Sequence, residues 1–340
     1  MQWIPPSLSS PILNLPQLQC IHPQNWQQIQ LITPHIGITV SDQFIHIFNT
    51  PPQDIHCAVE LNARLRILGD GLSALIRKGR NLVTSRIKSS PTDLVTDMDQ
   101  GIEMLCRIWL FKHYPHHKII GEEGIKDTFD FHDITWFIDP IDGTRNFVEN
   151  DDNVALLLGA IKAGKPYAAY IGLPFYNRHL SLGDVKHPQA IPNIANRSIT
   201  IGSEFFASRL DEVNLFESLL SKFNAKPHRT MSIGMSILNI WDGALDLFYK
   251  PFLKPWDAIA PLLFIESDAS PQLKGYFWSP VTHTLAPLFP LSPDVISQWS
   301  QCCETHCRIG HLLIVNARLS HVVADVVNEM ALLSIDPYLS

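Results

Sequence analysis

The sequence has few cysteines, no apolar stretch of membrane-spanning length and no basic residue near its start. Six cysteines in 340 residues show no disulfide framework, which predicts a reducing compartment. No apolar run reaches the roughly 20 residues that a membrane-spanning helix needs, so we expect no membrane partner. The first Lys or Arg is Arg64, so the preceding residues lack the basic region of a signal peptide and the arginines of a transit peptide. These absences predict a cytoplasmic protein.

Positive charge is scarce as well. The chain carries 26 Lys and Arg against 33 Asp and Glu, for a net charge of −7 and a sequence pI of about 6.1. This balance argues against nucleic acid as a partner, because nucleic-acid binding depends on clustered cations. An acidic chain that acts on an anionic substrate needs cations in its site, which favours a metal enzyme.

Residues 1–55 differ from the rest in composition. They contain eight prolines and nine glutamines, and their only charged residues are Asp42 and Asp54. The alternating apolar pieces at 36–40 and 44–48 predict short edge strands. We therefore predict an N-terminal extension over 1–55, whose role the sequence does not indicate.

The remaining chain divides into two halves by its apolar pattern. In the first half, 56–195, leucines from Leu61 to Leu75 recur at helical spacing, and a second helix is predicted after Asp99. In the second half, 196–340, predicted strands and helices alternate, which indicates helices layered on a sheet. The first half also contains consecutive predicted strands, which favour an antiparallel sheet; they lie at 118–120, 153–162, 166–173 and 179–183.

The most informative segment is Asp139-Pro140-Ile141-Asp142-Gly143-Thr144, which follows the apolar run Trp136-Phe137-Ile138. The apolar run delivers two carboxylates onto a turn, and the glycine that follows exposes backbone N–H groups. Mg²⁺ prefers oxygen ligands and is usually held by a few carboxylates together with substrate phosphate oxygens. Exposed N–H groups after a glycine suit the phosphate itself. The segment predicts half of a metal-dependent phosphate site.

Three further acidic residues stand where a strand or helix is predicted to begin or end. Asp99 and Asp257 lie at predicted helix starts, where helix capping alone explains an aspartate. Glu122 follows a predicted strand and a glycine, where a solvated turn is the favoured explanation. Taken singly, each residue favours its structural role.

Together these segments resemble the inositol monophosphatase family of Mg²⁺-dependent, lithium-sensitive phosphatases. The resemblance spans about residues 57–335. It implies an α+β fold of layered αβαβα sugar-phosphatase type, with a larger antiparallel sheet in the first half and a smaller mixed sheet in the second. The segments that carry it are 89–96 with Asp99-Gln100, then Gly121-Glu122-Glu123, Asp139 to Phe147, and Trp256-Asp257.

The resemblance also implies roles for individual residues. The first Mg²⁺ is expected on Glu122, Asp139 and the carbonyl of Ile141, a second on Asp139, Asp142 and Asp257, and a third, weaker ion near Glu122. The catalytic residues are expected to be Asp99 and Thr144, which position and deprotonate the attacking water, together with Glu122. Substrate is expected to contact Asp142, Gly143, Thr144, Lys88 and Lys250. The first half would thus carry most metal ligands, and the second Asp257 and the substrate pocket.

The pocket departs from the family pattern in three places. Lys250 stands where inositol-specific members place a glutamate that binds sugar hydroxyls, and a lysine favours a more anionic substrate. Residues 231–236 differ from the small-residue segment of the relatives. Pro261 is expected to fall in the first turn of a helix that begins near Trp256, where its missing N–H matters little.

The predicted function is a Mg²⁺-dependent phosphomonoesterase that acts on a small polyol or sugar phosphate. Alternative substrates within the family are 3′-phosphoadenosine 5′-phosphate, fructose 1,6-bisphosphate and histidinol phosphate. An alternative of another class is a regulatory, protein-binding relative with little catalysis. The partner expected is a small phosphorylated metabolite, and the resemblance also implies a homodimer, since family members commonly pair.

Overall fold

The structure is a computed structural model that describes residues 42–49, 58–82, 85–87, 94–124, 127, 129, 132–182, 198–204, 210–250, 254–266, 273–279, 284–287 and 311–332. Lys88 and most of the 1–55 segment lie outside these residues. None of the helices in the described ranges combines the length and apolarity that crossing a lipid bilayer requires.

The described residues form two main sheets with helices around and between them. The helices are α1 (Asp42–Asn49), α2 (Ala58–Gly79), α3 (Asp97–His113), α4 (Thr144–Val148), α5 (Leu210–Lys222), α6 (Ile233–Trp241), α7 (Pro255–Glu266) and α8 (Val323–Leu332), with 3₁₀ turns at Arg80–Leu82 and Ala317–Val322. The strands are β1 (Ser85–Ile87), β2 (Leu94–Thr96), β3 (Lys118–Gly121), β4 (Ile134–Asp142), β5 (Ala155–Lys162), β6 (Lys165–Leu173), β7 (Arg178–Ser181), β8 (Thr200–Ser203), β9 (Lys226–His228), β10 (Leu247–Lys250), β11 (Leu273–Ser279), β12 (Thr284–Pro287) and β13 (His311–Asn316).

The first sheet has the order β3-β4-β5-β6-β7. Its pairings are antiparallel except for β3 with β4, which run parallel. The prediction of an antiparallel sheet is therefore wrong at this edge. The chain between β3 and β4 spans 122–133, and a parallel pair needs a crossover of about this length.

The second sheet has the order β12-β11-β13-β10-β8-β9. It is mixed, as predicted, because β8 runs parallel to both of its neighbours while the remaining pairs are antiparallel. With six strands against five it is not the smaller sheet in strand number, although its strands are mostly shorter. The sequence pattern missed β9, β11 and β12.

Three apolar cores confirm the layered αβαβα arrangement. One core joins α2 and α3 to one face of the first sheet. A second contains α6 and α7 and lies between the two sheets. A third joins α5 and α8 to the outer face of the second sheet. The central helices α6 and α7 therefore contact both sheets, and the site described below lies beside them.

The helix α1 corrects the prediction of an edge strand at 44–48. Phe44, Ile47 and Phe48 are spaced at three and four residues and are buried in the first core. The side chains of Lys112 and His113 on α3 contact the carbonyls of Phe48 and Ile47 respectively. An alternating apolar run is compatible with either period over five residues, and here packing against α2 and α3 selects the helix.

Candidate active site

The end of β4 carries the two aspartates of the most informative segment. Between Asp139 and Asp142 the pairing with β5 shifts register, so that an extra residue is inserted on β4. Such a bulge re-aims side chains at the end of a strand. Asp139 is buried, and its Oδ1 accepts a hydrogen bond of 3.1 Å from the backbone N–H of Ile141.

The turn after β4 depends on glycine. Gly143 has φ of 86°, in the left-handed region, and a Cβ at this position would lie 2.9 Å from the carbonyl oxygen of Asn153. A glycine satisfies both constraints because it has no side chain. The turn leads directly into α4, whose first residue is Thr144.

Thr144 and Asp99, which were predicted as the water-activating pair, are brought together. The Thr144 hydroxyl lies 3.2 Å from Asp99 Oδ1 and 3.0 Å from the carbonyl oxygen of Ile141, both acceptors. Asp99 is fully buried, but it is not the N-cap of α3 as expected. Thr96 is the N-cap, and Asp99 is the third helical residue of a capping box, with Oδ2 accepting from the N–H and hydroxyl of Thr96 at 2.7 and 2.5 Å. Its Oδ1 therefore faces Thr144.

The loop that carries Glu122 is held by a residue that the sequence pattern did not single out. Glu103 on α3 is 1% exposed, and its carboxylate accepts hydrogen bonds from the N–H groups of Glu123 and Gly124 at 2.7 and 2.8 Å. Arg107 also donates to it at 2.8 Å. Gly121 leaves room for this carboxylate, which a Cβ there would approach within 2.3 Å. The position of Glu103 on the apolar face of a predicted helix was the sequence feature that could have identified it.

We expect Glu103→Gln to loosen this loop. A glutamine oxygen can accept one of the two N–H groups while its NH₂ opposes the other, so the free energy of unfolding should fall by about 1–3 kcal/mol. The Mg²⁺ concentration for half-maximal activity should rise about tenfold, as is usual when a residue supporting a metal ligand is lost. Thermal unfolding and a Mg²⁺ titration measure these effects. Glu60→Gln is the matched control, since Glu60 pairs with Arg64 at the same spacing but is exposed; equal behaviour of the two variants would contradict the role of Glu103.

Asp142, in the first half of the chain, accepts hydrogen bonds from residues of the second half. Its Oδ2 accepts from the hydroxyl of Ser232 at 2.6 Å and from the N–H of Gly234 at 2.7 Å, and its Oδ1 accepts from the N–H of Ile233 at 3.1 Å. Ser232 is also the N-cap of α6. The altered segment 231–236 therefore holds a predicted metal ligand through the start of this helix.

The predicted acidic residues are close enough for their charges to interact. Burial raises the pKa of Asp139 well above its usual range, and the charges of Glu122, Asp142, Asp257 and Asp99, in that order, raise it further. No three His, Cys, Asp or Glu side chains among the described residues already surround one point closely enough to hold an ion. The carboxylates form a loose cluster in which their negative charges repel one another.

The pKa values of Asp142 and Asp257 are also raised, and different neighbouring groups oppose the rise in each case. Burial, followed by the charge of Glu204, raises the pKa of Asp142 to about 7, against the hydrogen bonds from Ser232 and Gly234. Burial also raises the pKa of Asp257, while Lys250 and Lys254 oppose the rise through their positive charges. Burial of carboxylates without full compensation indicates a place for a cation.

The chain matches a known family over this whole region. A profile described as the inositol monophosphatase family matches residues 59–267. The chain belongs to the inositol monophosphatase family. Among curated relatives, the inositol-1-monophosphatase of Bacillus subtilis is 30% identical over 195 residues, covering 52% of this chain and 71% of the relative. Inositol monophosphatase 1 of Homo sapiens is 31% identical over 194 residues, covering 52% and 70%.

Solved structures share the fold of this inositol monophosphatase family member. An IMPase of Thermotoga maritima superposes with a TM-score of 0.61 at 20% identity, covering 80% of this chain and 98% of its own. A dual specific IMPase/NADP phosphatase bound with D-inositol-1-phosphate superposes with a TM-score of 0.60 at 17% identity, covering 80% and 96%. At these identities the comparison establishes the shared fold.

Lys250 lies beside a buried carboxylate that the sequence pattern did not single out. Lys250 Nζ lies 3.4 Å from Glu204 Oε2, and Glu204 is buried. Glu204 was missed because nothing in its local sequence marks it; it follows a short strand whose partners lie far along the chain. Pro261 also differs from expectation, since it lies in the second turn of α7 and removes the helical hydrogen bond to the carbonyl of Asp257.

Proposed function

We propose that this chain is a Mg²⁺-dependent phosphomonoesterase that hydrolyses a small polyol or sugar phosphate. One observation carries the proposal: Asp139 lies within the charge influence of Glu122, Asp142, Asp257 and Asp99, which the family motifs scatter over some 160 positions. Membership of the inositol monophosphatase family supports the same class, since its named relatives are phosphoric monoester hydrolases.

The donor set fits a hard divalent cation. All predicted ligands are oxygens: the carboxylates of Glu122 and Asp139 with the carbonyl of Ile141 for a first Mg²⁺, and Asp139, Asp142 and Asp257 for a second. A third ion near Glu122 is part of the proposal. Asp142 accepts three hydrogen bonds on a carboxylate with about four lone-pair sites, so it retains capacity for an ion. When bound, Mg²⁺ supplies positive charge that neutralises phosphate oxygens and acidifies water.

Asp99 and Thr144 provide the proton path for the attacking water. The Oδ2 of Asp99 accepts the hydrogen bonds of the capping box, and its Oδ1 receives the proton of the Thr144 hydroxyl. Thr144 in turn accepts a proton from the water as the water attacks phosphorus. Glu122 assists by orienting the same water.

The turn after β4 holds the phosphate, and the second half of the chain holds the alcohol. We assign phosphate oxygens to the N–H groups of Gly143 and Thr144, and substrate contacts to Asp142 and Lys250. Lys88, outside the described residues, is proposed near the phosphate from the family motif alone. We also propose that the chain divides into an extension and two halves, with boundaries at residues 55 and 195. A homodimer and a cytoplasmic location are further parts of the proposal.

Small phosphorylated metabolites are the substrates to test first. One structural relative is described as bound with D-inositol-1-phosphate and as a dual specific IMPase/NADP phosphatase. We therefore propose inositol 1-phosphate as the reference substrate, with 3′-phosphoadenosine 5′-phosphate, fructose 1,6-bisphosphate and histidinol phosphate as alternatives. The regulatory alternative predicts no turnover of any of them by the folded chain.

Phosphate release from this panel tests the function. We expect turnover that requires Mg²⁺, is abolished by EDTA and is inhibited by lithium, a sensitivity that the family shares. Circular dichroism on the same sample establishes that the chain is folded. A folded chain that releases no phosphate from any ester would favour the regulatory alternative, and turnover that persists in EDTA would contradict the metal assignment.

A further inference from the structure

Three neighbouring parallel strands of the second sheet end at the same edge. β8 pairs in parallel with β9 on one side and with β10 on the other. Glu204 follows β8 directly, Thr230 follows β9 after one residue, and Lys250 is the last residue of β10. The carboxyl ends of parallel strands form the crevice in which ligands bind in open α/β sheets.

At this edge Glu204 is the centre of a polar cluster. Its Oε1 accepts from the hydroxyls of Ser236 and Thr230 at 2.8 and 3.2 Å, and its Oε2 lies 3.4 Å from Lys250 Nζ. The Glu204 side chain is 2% exposed and that of Lys250 is 21% exposed. The ammonium group is therefore the more accessible of the two charged groups.

The same edge faces the predicted metal ligands. Ser232 and the start of α6 contact Asp142, and Thr230 accepts a hydrogen bond of 2.7 Å on its carbonyl from Asn146, just after the phosphate turn. The positive charge of Lys250 also acts on Asp257, another predicted metal ligand. Lys250 therefore lies near the residues that are proposed to hold the metal and the phosphate.

We propose that Lys250, held in place by buried Glu204, is a specificity-determining residue that binds an anionic group on the alcohol part of the substrate. The chain then prefers phosphomonoesters that carry a second phosphate to those of neutral polyols. This inference rests on the proposed function and names its substrate class. Glu204 acts as a positioning residue, because a charged partner fixes the long lysine side chain before substrate arrives.

The physical basis is a charge-assisted hydrogen bond formed with one substrate and not with the other. A lysine ammonium on a phosphate is roughly twice as strong an interaction as a neutral hydrogen bond. An ester without the second phosphate leaves the Lys250–Glu204 pair as it is and gains nothing from it. The preference therefore concerns the ratio of two kcat/KM values rather than either value alone.

Fructose 1,6-bisphosphate and fructose 1-phosphate provide the matched test, since they differ only in the second phosphate. We expect the intact chain to show a kcat/KM at least about tenfold higher for the bisphosphate. The ratio should fall toward one in E204Q/K250M, which leaves no unpaired buried charge, and part of the way in E204Q. Lys254→Met is the control, because Lys254 also acts on Asp257 but lies over Trp256; its ratio should match that of the intact chain.

A second measurement does not depend on turnover. Fructose 6-phosphate, the product that retains the second phosphate, should bind the intact chain in calorimetry and bind E204Q/K250M at least about tenfold more weakly. Equal ratios in the intact chain and the double variant would overturn the inference, as would turnover of inositol 1-phosphate with neither fructose ester. No phosphate release from any ester would contradict the proposed function instead, and the calorimetric comparison would still decide the role of Lys250.

Discussion

Asp139→Asn should reduce kcat/KM by at least about a thousandfold, which corresponds to ~4 kcal/mol of lost transition-state stabilisation. Asp139 is the residue proposed to contact both main ions, and its charge is the one on which the other four acidic residues act. Asparagine keeps the oxygen that accepts from the Ile141 N–H, so the local backbone should be retained. Steady-state phosphate release from inositol 1-phosphate in Mg²⁺ measures the loss.

The same substitution should make the metal-free chain more stable. Removing a buried charge from a cluster of like charges relieves their repulsion, so the melting temperature in EDTA at pH 8 should rise. Asp325→Asn is the control, because Asp325 is exposed on α8 and pairs only loosely with Lys222 at 3.8 Å. Activity that survives Asp139→Asn would show that the metal assignment is wrong. A fall in both activity and metal-free stability would show that Asp139 has a structural role.

The residues at the end of β4 were predictable because their chemistry is local. Asp139, Asp142 and Gly143 lie within five positions, and the bulge and the left-handed turn follow from that short segment. The pairing of Asp99 with Thr144 was expected from the family motifs, and the structure places their side chains within hydrogen-bond distance. The prediction of Asp99 at the start of the helix was wrong because Thr96 was overlooked. The capping box that Thr96 forms with Asp99 is itself a local sequence pattern.

Glu103 and Glu204 were missed because their roles exist only in the folded chain. Glu103 binds backbone N–H groups about twenty residues away, and Glu204 contacts the hydroxyls of Thr230 and Ser236 and the ammonium group of Lys250. No spacing in the sequence encodes such contacts. The prediction of a strand at 44–48 was wrong for a related reason. The apolar pattern of five residues fits a strand or a helix, and packing in the first core selects the helix.

The contact between Asp142 and the start of α6 explains why the site depends on the whole fold. Asp142 belongs to the first sheet, and the groups that bind it belong to the helix between the sheets. The layers therefore meet at a proposed metal ligand. Substitutions in the segment 231–236 should therefore weaken the proposed metal binding, since this segment holds Asp142.

Mg²⁺ should stabilise the chain strongly at pH 8 and weakly at pH 5. The pKa values of Asp139, Asp142 and Asp257 are raised in the folded chain, so each carboxyl retains its proton to a higher pH than in the unfolded chain; for Asp142 this window runs from about pH 4 to about pH 7. Stability without metal therefore falls as pH rises through this window. For Asp142 alone, a pKa near 7 corresponds to on the order of 4 kcal/mol lost by pH 8.

A cation that binds the ionised carboxylates restores this stability only where they are ionised. At a Mg²⁺ concentration of about 100 Kd the gain is ~2.7 kcal/mol, which for a chain of this size raises the melting temperature by roughly 4 °C. The quantity to measure is the difference in melting temperature between Mg²⁺ and EDTA from pH 5 to pH 8. His113 and His117, whose pKa values burial lowers, act in the opposite direction below about pH 6.5 but cancel in this difference.

Asp139→Asn separates the carboxylate cluster from every other titrating group. Because the variant lacks the carboxylate on which the others act, its melting temperature in EDTA should depend less on pH, and Mg²⁺ should raise it less at pH 8. A Mg²⁺ effect that is the same at pH 5 and pH 8, or the same in Asp139→Asn and the intact chain, would mean that the ion binds elsewhere. A larger effect at pH 8 that disappears in the variant would locate the ion at this cluster, since binding there competes with the protons that burial retains.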